Sequence, residues 1–214
     1  MKDYSKILFI DDDIRNINSD VLNVGTKCLD NYILSGCFVK DFPDLSVICH
    51  LEKLSGEDII PFLSGSFLFI RPFSSYYFFP KIYNEDWLFM LPHIIDKTIC
   101  SFGSIRQLSY DPFNNEYLAG FQEFGEIIAE GLYALLSSNA YDFRFKKEAW
   151  EHVINERRDT LTSLKDTFTD SRILKIIEHA IVANRNISYR DCLTFINNFE
   201  EDHQSWKSFI KENS

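Results

Sequence analysis

A run of apolar residues that ends directly on three aspartates is the feature that most limits how this chain can fold. The stretch KILFIDDDI, residues 6–14, places Asp11, Asp12 and Asp13 against the apolar run without a spacer. The β-branched and aromatic composition of the run predicts a buried strand. In open α/β folds, ligands bind beyond the carboxyl ends of strands. Because side chains alternate along a strand, Asp11 and Asp13 are expected on one side and Asp12 on the other.

Three interpretations of the aspartates remain open from this stretch alone. They can form a solvated turn that caps a following helix, whose dipole favours negative charge. They can form the acidic pocket of a phosphorelay receiver. They can also bind a divalent metal, because two carboxylates on one side repel each other unless a cation lies between them. Mg²⁺ or Mn²⁺ suits such hard oxygen ligands.

Composition narrows the classes of partner. The 214 residues are enough for one sizeable domain, and the 45% hydrophobic content is typical of a folded globule. A net charge of -10 argues against binding a nucleic-acid backbone, which requires basic residues to replace counterions. No apolar stretch approaches the roughly 20 residues that span a bilayer. No signal peptide is recognised, and five scattered cysteines without CxxC spacing indicate reduced thiols, so a cytoplasmic protein is expected.

The chain divides into two parts of different pattern. Residues 1–115 contain strand-like runs and are expected to be α/β: KILFI, YILSGCFV, LSVICHL and SGSFLFIRP. Residues 116–214 show helical periodicity, with helices expected near 115–138, 146–168, 171–183 and 188–212 and with Asp170 and Ser188 as N-caps. We expect this helical region to pack on the first half. Three acids at helical spacing predict a solvated helix face: Glu123, Glu126 and Glu130.

Three segments together resemble the late half of a GT-A glycosyltransferase of the inverting, family-2-like kind. They are FIDDDI, FLSGSFLFIRP (62–72) and FFPKIYNEDWLFMLPHI (78–94). Residues 42–56 and 110–136 also look like segments of an uncharacterised bacterial glycosyltransferase-like group. The resemblance covers roughly residues 5–136 and implies a partial GT-A-like, Rossmann-like mixed sheet.

The resemblance also implies roles for individual residues. Asp11 and Asp13 match the DxD-type motif and would hold Mn²⁺ or Mg²⁺, with Asp11 also near the donor diphosphate. The strand with Ser64, Gly65 and Ser66 would line the acceptor side. The ED pair would supply the catalytic base, Asp86, with Glu85 as its substitute, on a helix capped by Asn84. Further candidates are Arg71 as a phosphate contact, Trp87 as a ring that stacks on the sugar, and His50 and His93 as metal ligands.

Each of these residues also has an ordinary structural explanation. A bulge in a core strand explains Gly65, surface ion pairing explains Arg71, and core packing explains Trp87. The ED pair alone is also a common helix start. The order of the three motifs favours the functional interpretation. It predicts metal-dependent, inverting transfer of a sugar from a nucleotide-sugar donor to an unknown acceptor.

The sequence departs from both resemblances. In a receiver, the phosphoacceptor aspartate would fall at Cys49 or His50, and neither can form an acyl phosphate. In a GT-A enzyme, a nucleotide-binding half precedes the DxD strand; here that strand begins almost at Met1, so the given chain is expected to lack that half. The QxxRW motif is also absent, since GSIRQ (103–107) lacks its Trp. The chain is therefore expected to be a fragment, a split-gene product or an inactive remnant that serves as a binding module. A sheet cut at its middle exposes an edge, which predicts a homo-oligomer or a partner chain that supplies the missing half.

Overall fold

Five strands in the first half of the chain form one mixed sheet. The computed structural model describes residues 4–40, 46–58, 63–72, 74 and 77–213, so residues 42–45 and 62 of the motifs above lie outside it. The strands are β1 (Ile7–Ile10), β2 (Ile14–Arg15), β3 (Leu34–Lys40), β4 (Leu63–Ile70) and β5 (Ile99–Gln107). Their order across the sheet is β1-β4-β3-β5-β2. The β3–β5 pair is parallel and the other pairs are antiparallel.

Helices separate and follow the strands, and they make up most of the chain beyond residue 117. The first three are α1 (Ser19–Cys28), α2 (Val47–Ser55) and α3 (Glu85–Ile95). After α4 (Leu118–Ser137) and a short 3₁₀ helix (Tyr141–Phe145) come α5 (Lys147–Lys165), α6 (Ser171–Asn186) and α7 (Tyr189–Glu212). The expected α/β class with a mainly helical C-terminal region is confirmed. The predicted caps are also present, since Asp170 accepts backbone N–H groups and Ser188 forms a capping box with Asp191.

The run LSVICHL was predicted as a strand, but its residues 47–51 lie in helix α2 instead. The Ser46 hydroxyl accepts the Cys49 N–H at the start of the helix, and Gly56 ends it with a φ of +97°. Val47, Ile48 and Leu51 then face the C-terminal helices at helical spacing. A short apolar run fits a strand or a helix equally well, and the flanking cap residues decide here. Since residue 49 lies in a helix and the sheet is mixed, the receiver interpretation is wrong.

Both faces of strand β4, which lies between β1 and β3, are covered by helices. Phe67 and Phe69 point to one face and pack with Leu29 at the end of α1. Leu68 and Ile70 alternate to the other face, where the cluster includes Phe89 and Met90 of α3. The apolar run of β4 is therefore explained by burial on both sides. This packing fixes α3 against the strand that carries the SGS motif.

The C-terminal helices pack on the first half through two apolar clusters. One joins Leu88 and Leu91 of α3 to Ile128 of α4 and Trp150 of α5. The other joins α2 to α5 and α6. No helix within the described ranges is long and apolar enough to cross a membrane.

The expected solvated acidic face of α4 is wrong, because its glutamates surround a buried arginine. Glu123 and Glu126 are fully buried, and Arg157 of α5 forms ion pairs with both and with Glu130. Its Nε lies 3.0 Å from Glu123 Oε1. Glu126 Oε1 also accepts the Val47 N–H at 2.9 Å, which ties the start of α2 to the cluster. The spacing correctly places the glutamates on one face, but it does not show that α5 covers that face.

This cluster predicts that stability falls as pH rises. Burial, followed by neighbouring carboxylates, raises the pKa of Glu126 from 4.5 to about 8 despite the attraction of Arg157. The folded state therefore retains a proton that the unfolded state releases. At about 1.4 kcal/mol per pKa unit, the free energy of unfolding should fall by up to about 5 kcal/mol between those two pH values. Urea unfolding across this range measures it. Glu130→Gln removes one neighbouring negative charge and should therefore reduce this fall in the free energy of unfolding. A wild-type free energy of unfolding that rises with pH would contradict the assignment.

Candidate functional site

A pocket of about 410 Å³ opens where the end of β1, the start of β4 and the start of α3 meet. This volume lies in the range of small-molecule sites. We call it the β1–α3 pocket, and the residues that line it are Phe9, Asp11, Ser64, Gly65, Ser66, Phe79, Tyr83, Asn84, Glu85, Asp86 and Trp87. The three motifs singled out in the sequence therefore meet at one place, although they are distant along the chain.

Strand pairing brings the first two motifs together. β1 and β4 run antiparallel with Ile10 opposite Phe67. Just beyond that pair, the Asp11 N–H donates to the Ser66 carbonyl at 3.0 Å. Ser64 and Ser66 are buried, and their hydroxyl groups lie 2.9 Å apart in a hydrogen bond. The acidic end of β1 is thus fixed beside the small residues of β4.

A close approach between Gly65 and Asp86 joins the third motif to this pair. The Gly65 N–H donates to Asp86 Oδ2 at 2.9 Å. A Cβ added to Gly65 would lie 2.4 Å from Asp86 Cβ and 2.7 Å from Oδ2, well inside van der Waals contact. Only glycine at position 65 therefore lets the start of α3 approach β4 this closely. The hydrogen bond fixes one oxygen of the carboxylate and so orients the group in the pocket.

The start of α3 differs in one detail from the prediction. Asn84 occupies the N-cap position, but its side chain makes no capping hydrogen bond, so its predicted capping role is wrong. Its backbone adopts the left-handed conformation, with φ 63°, which asparagine tolerates better than most residues. Glu85 and Asp86 lie in the first helical turn, where the helix dipole favours carboxylates.

Aromatic side chains form the remaining walls of the pocket. The Phe9 ring meets Phe79 edge to face at 5.5 Å, and Phe79 stacks on Phe89 at 4.1 Å. On the other side, Trp87 packs edge to face on Tyr133, whose hydroxyl donates to the Trp87 carbonyl. Phe9, Phe79 and Tyr83 were not predicted as site residues. Their only signal in the sequence is the aromatic density of FIDDDI and FFPKIY.

A glycine of α4 supports the pocket from behind. A Cβ on Gly125 would lie 2.4 Å from the Tyr83 carbonyl oxygen and 2.7 Å from Tyr83 Cβ. The absence of a side chain lets α4 pack directly on the segment that leads into α3. The C-terminal helical region thus positions one wall of the pocket.

The pocket is negatively charged. Asp11, Glu85 and Asp86 line it, whereas none of its described lining residues is Lys, Arg or His. Rings with carboxylates and hydroxyls suit a neutral polyhydroxylated ligand or a cationic one, because the ring faces pack on C–H groups and the oxygens bind hydroxyls or cations. A phosphate group would be repelled unless a cation accompanied it.

Two predicted site residues lie outside the pocket. β1 ends at Ile10, so the expected strand alternation of Asp11 and Asp13 does not apply, and Asp13 Oδ2 instead accepts the Gln107 side chain at 2.9 Å. Arg71 follows the opposite end of β4 from Gly65, roughly 20 Å away along the strand. The residues that the structure brings together are Asp11, Ser64, Gly65, Ser66, Glu85, Asp86 and Trp87.

The two candidate histidines are also remote from the β1–α3 pocket. His93 Nδ1 lies 2.8 Å from the Thr98 hydroxyl, and His50 Nε2 lies 3.3 Å from the Tyr110 hydroxyl. Burial lowers the pKa of each imidazole to about 4. Neither lines the pocket.

The proposed ligands of a divalent cation are the aspartates that follow β1. Within the described ranges, no three His, Cys, Asp or Glu side chains are grouped to hold a metal ion. Magnesium in substrate complexes commonly uses only one or two protein carboxylates, together with phosphate oxygens. Asp11 lines the pocket, and Asp13 Oδ1 is buried without a hydrogen-bond partner. Of these two aspartates, only Asp11 lines the pocket.

Comparison of the chain with models of protein families, with curated proteins and with solved structures gives no match. The function therefore has to be inferred from the chemistry of the pocket and from the motifs that meet there.

Proposed function

We propose that the protein is glycosyltransferase-like: it binds a sugar in the β1–α3 pocket and transfers it from a nucleotide-sugar donor, with inversion and with a divalent metal. The observation that supports this most is the Asp86 carboxylate, held by the Gly65 N–H at 2.9 Å beside Asp11 in a pocket with aromatic walls. The agreement between the motif order of inverting GT-A enzymes and the clustering of these residues adds support.

The proposed chemistry requires one proton transfer at Asp86. A hydroxyl of the acceptor attacks the anomeric carbon on the face opposite the nucleoside diphosphate. The carbon–oxygen bond to the diphosphate breaks, and the carboxylate of Asp86 takes the hydroxyl proton. The Gly65 hydrogen bond keeps the carboxylate in one orientation, which reduces the entropy lost on reaching the transition state.

The metal has a defined task in this proposal. When bound, it neutralises the charge that develops on the departing diphosphate. Asp11 and Asp13 would hold it. Because no basic side chain lines the described pocket, the pocket itself offers no other positive group for this purpose.

Replacing Asp86 by asparagine should lower transfer by about 10²- to 10⁴-fold, the usual contribution of a general base. The amide preserves the size of the side chain and can still accept the Gly65 N–H, so the fold should be unchanged. Release of nucleoside diphosphate from UDP- and GDP-sugars with Mn²⁺ and a mixture of saccharide acceptors measures the activity. Glu85→Gln is the matched control on the same helical turn and should lose far less. Equal activity of Asp86→Asn and wild type would remove Asp86 from the mechanism.

Metal binding gives an independent test with a control inside the same turn. Asp11→Asn and Asp13→Asn should each weaken Mn²⁺ binding in the presence of a nucleotide sugar by at least about tenfold, as judged by calorimetry. Asp12→Asn should bind as wild type does, because Asp12 is not one of the two proposed metal ligands; it shows whether an effect comes from those ligands or from the acidic turn as a whole. If all four proteins bind Mn²⁺ equally poorly, the aspartates are a solvated turn and the metal-dependent mechanism is wrong.

A second candidate function is a non-catalytic carbohydrate-binding module. The bond between Asp13 and Gln107 favours it, because this bond directs one of the two proposed metal ligands towards β5. Saccharide binding that is unaffected by Mn²⁺ and is not followed by turnover would identify this function.

The outer edge of β1 is the proposed partner surface. β1 ends the described sheet, yet Ile7, Phe9 and Ile10 are each about 40% exposed. An apolar edge strand of this kind pairs readily with another strand. We propose that a partner chain carrying the nucleotide-binding half, or a second copy of this chain, pairs there.

Light scattering tests the partner surface. Ile7→Lys should shift purified protein from an oligomer to a monomer, since lysine blocks edge pairing. A wild-type chain that stays monomeric at high concentration would exclude self-association through β1.

A cytoplasmic location belongs to the same proposal. It rests on the five cysteines without paired spacing, which are typical of a reducing compartment.

A further inference from the structure

Two cysteines that are far apart in the sequence have their sulfur atoms in contact. Cys28 is the last residue of α1 and Cys100 lies near the start of β5. The Cys100 thiol donates to Cys28 Sγ at 3.1 Å. Both residues are half-buried, so small reagents can reach them. Sulfur atoms so placed need to move only about 1 Å to reach the roughly 2.05 Å of a disulfide bond.

Close packing of α1 on the sheet produces this contact. A Cβ on Gly25 would lie 2.4 Å from the Phe69 ring and 2.6 Å from the Phe102 ring. The Ser35 hydroxyl of β3 also donates to the Gly25 carbonyl at 2.8 Å, and Ser35 is paired with Cys100 across the sheet. The glycine and the hydrogen bond thus hold the end of α1 directly over β5. The proximity of the thiols is built into the fold and does not depend on two mobile side chains.

We propose that Cys28 and Cys100 form a reversible disulfide by exchange with a low-molecular-weight disulfide such as oxidised glutathione. One protein thiolate attacks a glutathione sulfur, which forms a mixed disulfide and releases one glutathione thiolate. The second protein thiolate attacks the protein sulfur of the mixed disulfide and releases the other glutathione. The two cysteines lose two electrons and two protons, and oxidised glutathione is reduced to two molecules of glutathione.

The environment of Cys28 sets the pH dependence of the reaction. Burial, followed by the contact with Cys100, raises the pKa of Cys28 to about 11. Cys28 is the attacking thiolate in one of the two steps. It attacks glutathione in the first step, or, if Cys100 reacts first, it attacks the mixed disulfide in the second. Exchange is therefore slow at neutral pH and accelerates by up to about tenfold per pH unit while that step limits the rate.

The disulfide closes a loop of the chain that contains two elements of the β1–α3 pocket, β4 and α3. The loop from residue 28 to residue 100 contains β3, α2, β4 and α3. Closing a loop of this length restricts the unfolded chain, so the oxidised protein should unfold at a Tm higher by at least about 5 °C. The inference is independent of the glycosyltransferase proposal.

The test is oxidation of the full wild-type chain in glutathione buffers, followed by protease digestion without reductant and mass spectrometry. We expect one cross-linked peptide pair joining Cys28 and Cys100, the loss of two titratable thiols, and recovery of both with dithiothreitol. Cys28→Ser and Cys100→Ser should each abolish the cross-link and the rise in Tm, whereas Cys49→Ser should retain both. A cross-link from Cys28 to its buried neighbour Cys37, stable mixed glutathione adducts alone, or no thiol loss would overturn the proposal.

Discussion

Replacing Gly65 by alanine should lower sugar transfer by about 10²-fold or more, although Gly65 has no functional group of its own. The new methyl group would lie 2.4 Å from Asp86 Cβ, so the first turn of α3 must move away from β4. The Gly65 N–H would then lose the Asp86 carboxylate, and the base would leave its position. The stability cost should be about 1–3 kcal/mol, as for other small-to-large changes in packed sites.

Gly120→Ala is the matched control for this prediction. Gly120 lies in α4, and the nearest atom to an added Cβ would be the His179 carbonyl oxygen at 3.4 Å. Alanine there should be neutral or should stabilise the helix by roughly 0.5–1 kcal/mol, and transfer should not change. If Gly65→Ala retains full activity, Asp86 does not depend on this contact and the proposed geometry of the base is wrong.

Replacing Arg157 by methionine should have the largest effect on stability, a loss of about 3–5 kcal/mol. Methionine fills similar space but leaves the Glu123, Glu126 and Glu130 side chains without the guanidinium group that they bind, and Glu123 and Glu126 have no access to water. The hydrogen bond from the Val47 N–H to Glu126 would also weaken, so α2 should loosen from the C-terminal helices. Urea unfolding measures the loss, and hydrogen exchange of α2 reports where it occurs.

Lys165→Met removes an exposed ion pair with Glu178 and serves as the control. Exposed pairs contribute about 0–1 kcal/mol, so this variant should unfold almost as wild type does. A loss at Arg157 no larger than the loss at Lys165 would show that the cluster is not the buried anchor described above.

The sequence predicted the elements whose signals are local. Asp170 and Ser188 mark helix starts through side chains that accept neighbouring N–H groups, and both helices begin there. LSVICHL failed because seven residues with four apolar side chains do not distinguish a strand from a helix. The deciding information was the Ser46 cap and the left-handed Gly56, which are weak signals without the backbone.

The site was predictable in its membership but not in its contacts. The order of FIDDDI, SGS and NED predicted that Asp11, Ser64–Ser66 and Glu85–Trp87 lie together, but it also included Asp13 and missed Phe9, Phe79 and Tyr83. Nothing in that order shows that Gly65 must be glycine because Asp86 touches it, or that Asp13 turns to Gln107. Such contacts depend on how β4, β5 and α3 are packed, which involves the whole chain. For the same reason, the spacing of Glu123 and Glu126 fixed their shared face but not their burial.

The most direct test of the proposed function is an NMR titration that follows the three tryptophan indole signals. Trp87 lines the β1–α3 pocket, Trp150 is fully buried in the core, and Trp206 lies on the exposed end of α7. The titrants are a panel of UDP- and GDP-sugars with Mg²⁺ and neutral methyl glycosides. We predict that at least one compound shifts the Trp87 signal saturably, leaves Trp150 and Trp206 unchanged, and has no effect on Gly65→Ala. If no compound moves the Trp87 signal of the folded wild-type protein, the pocket is not a sugar site and the proposed function is wrong.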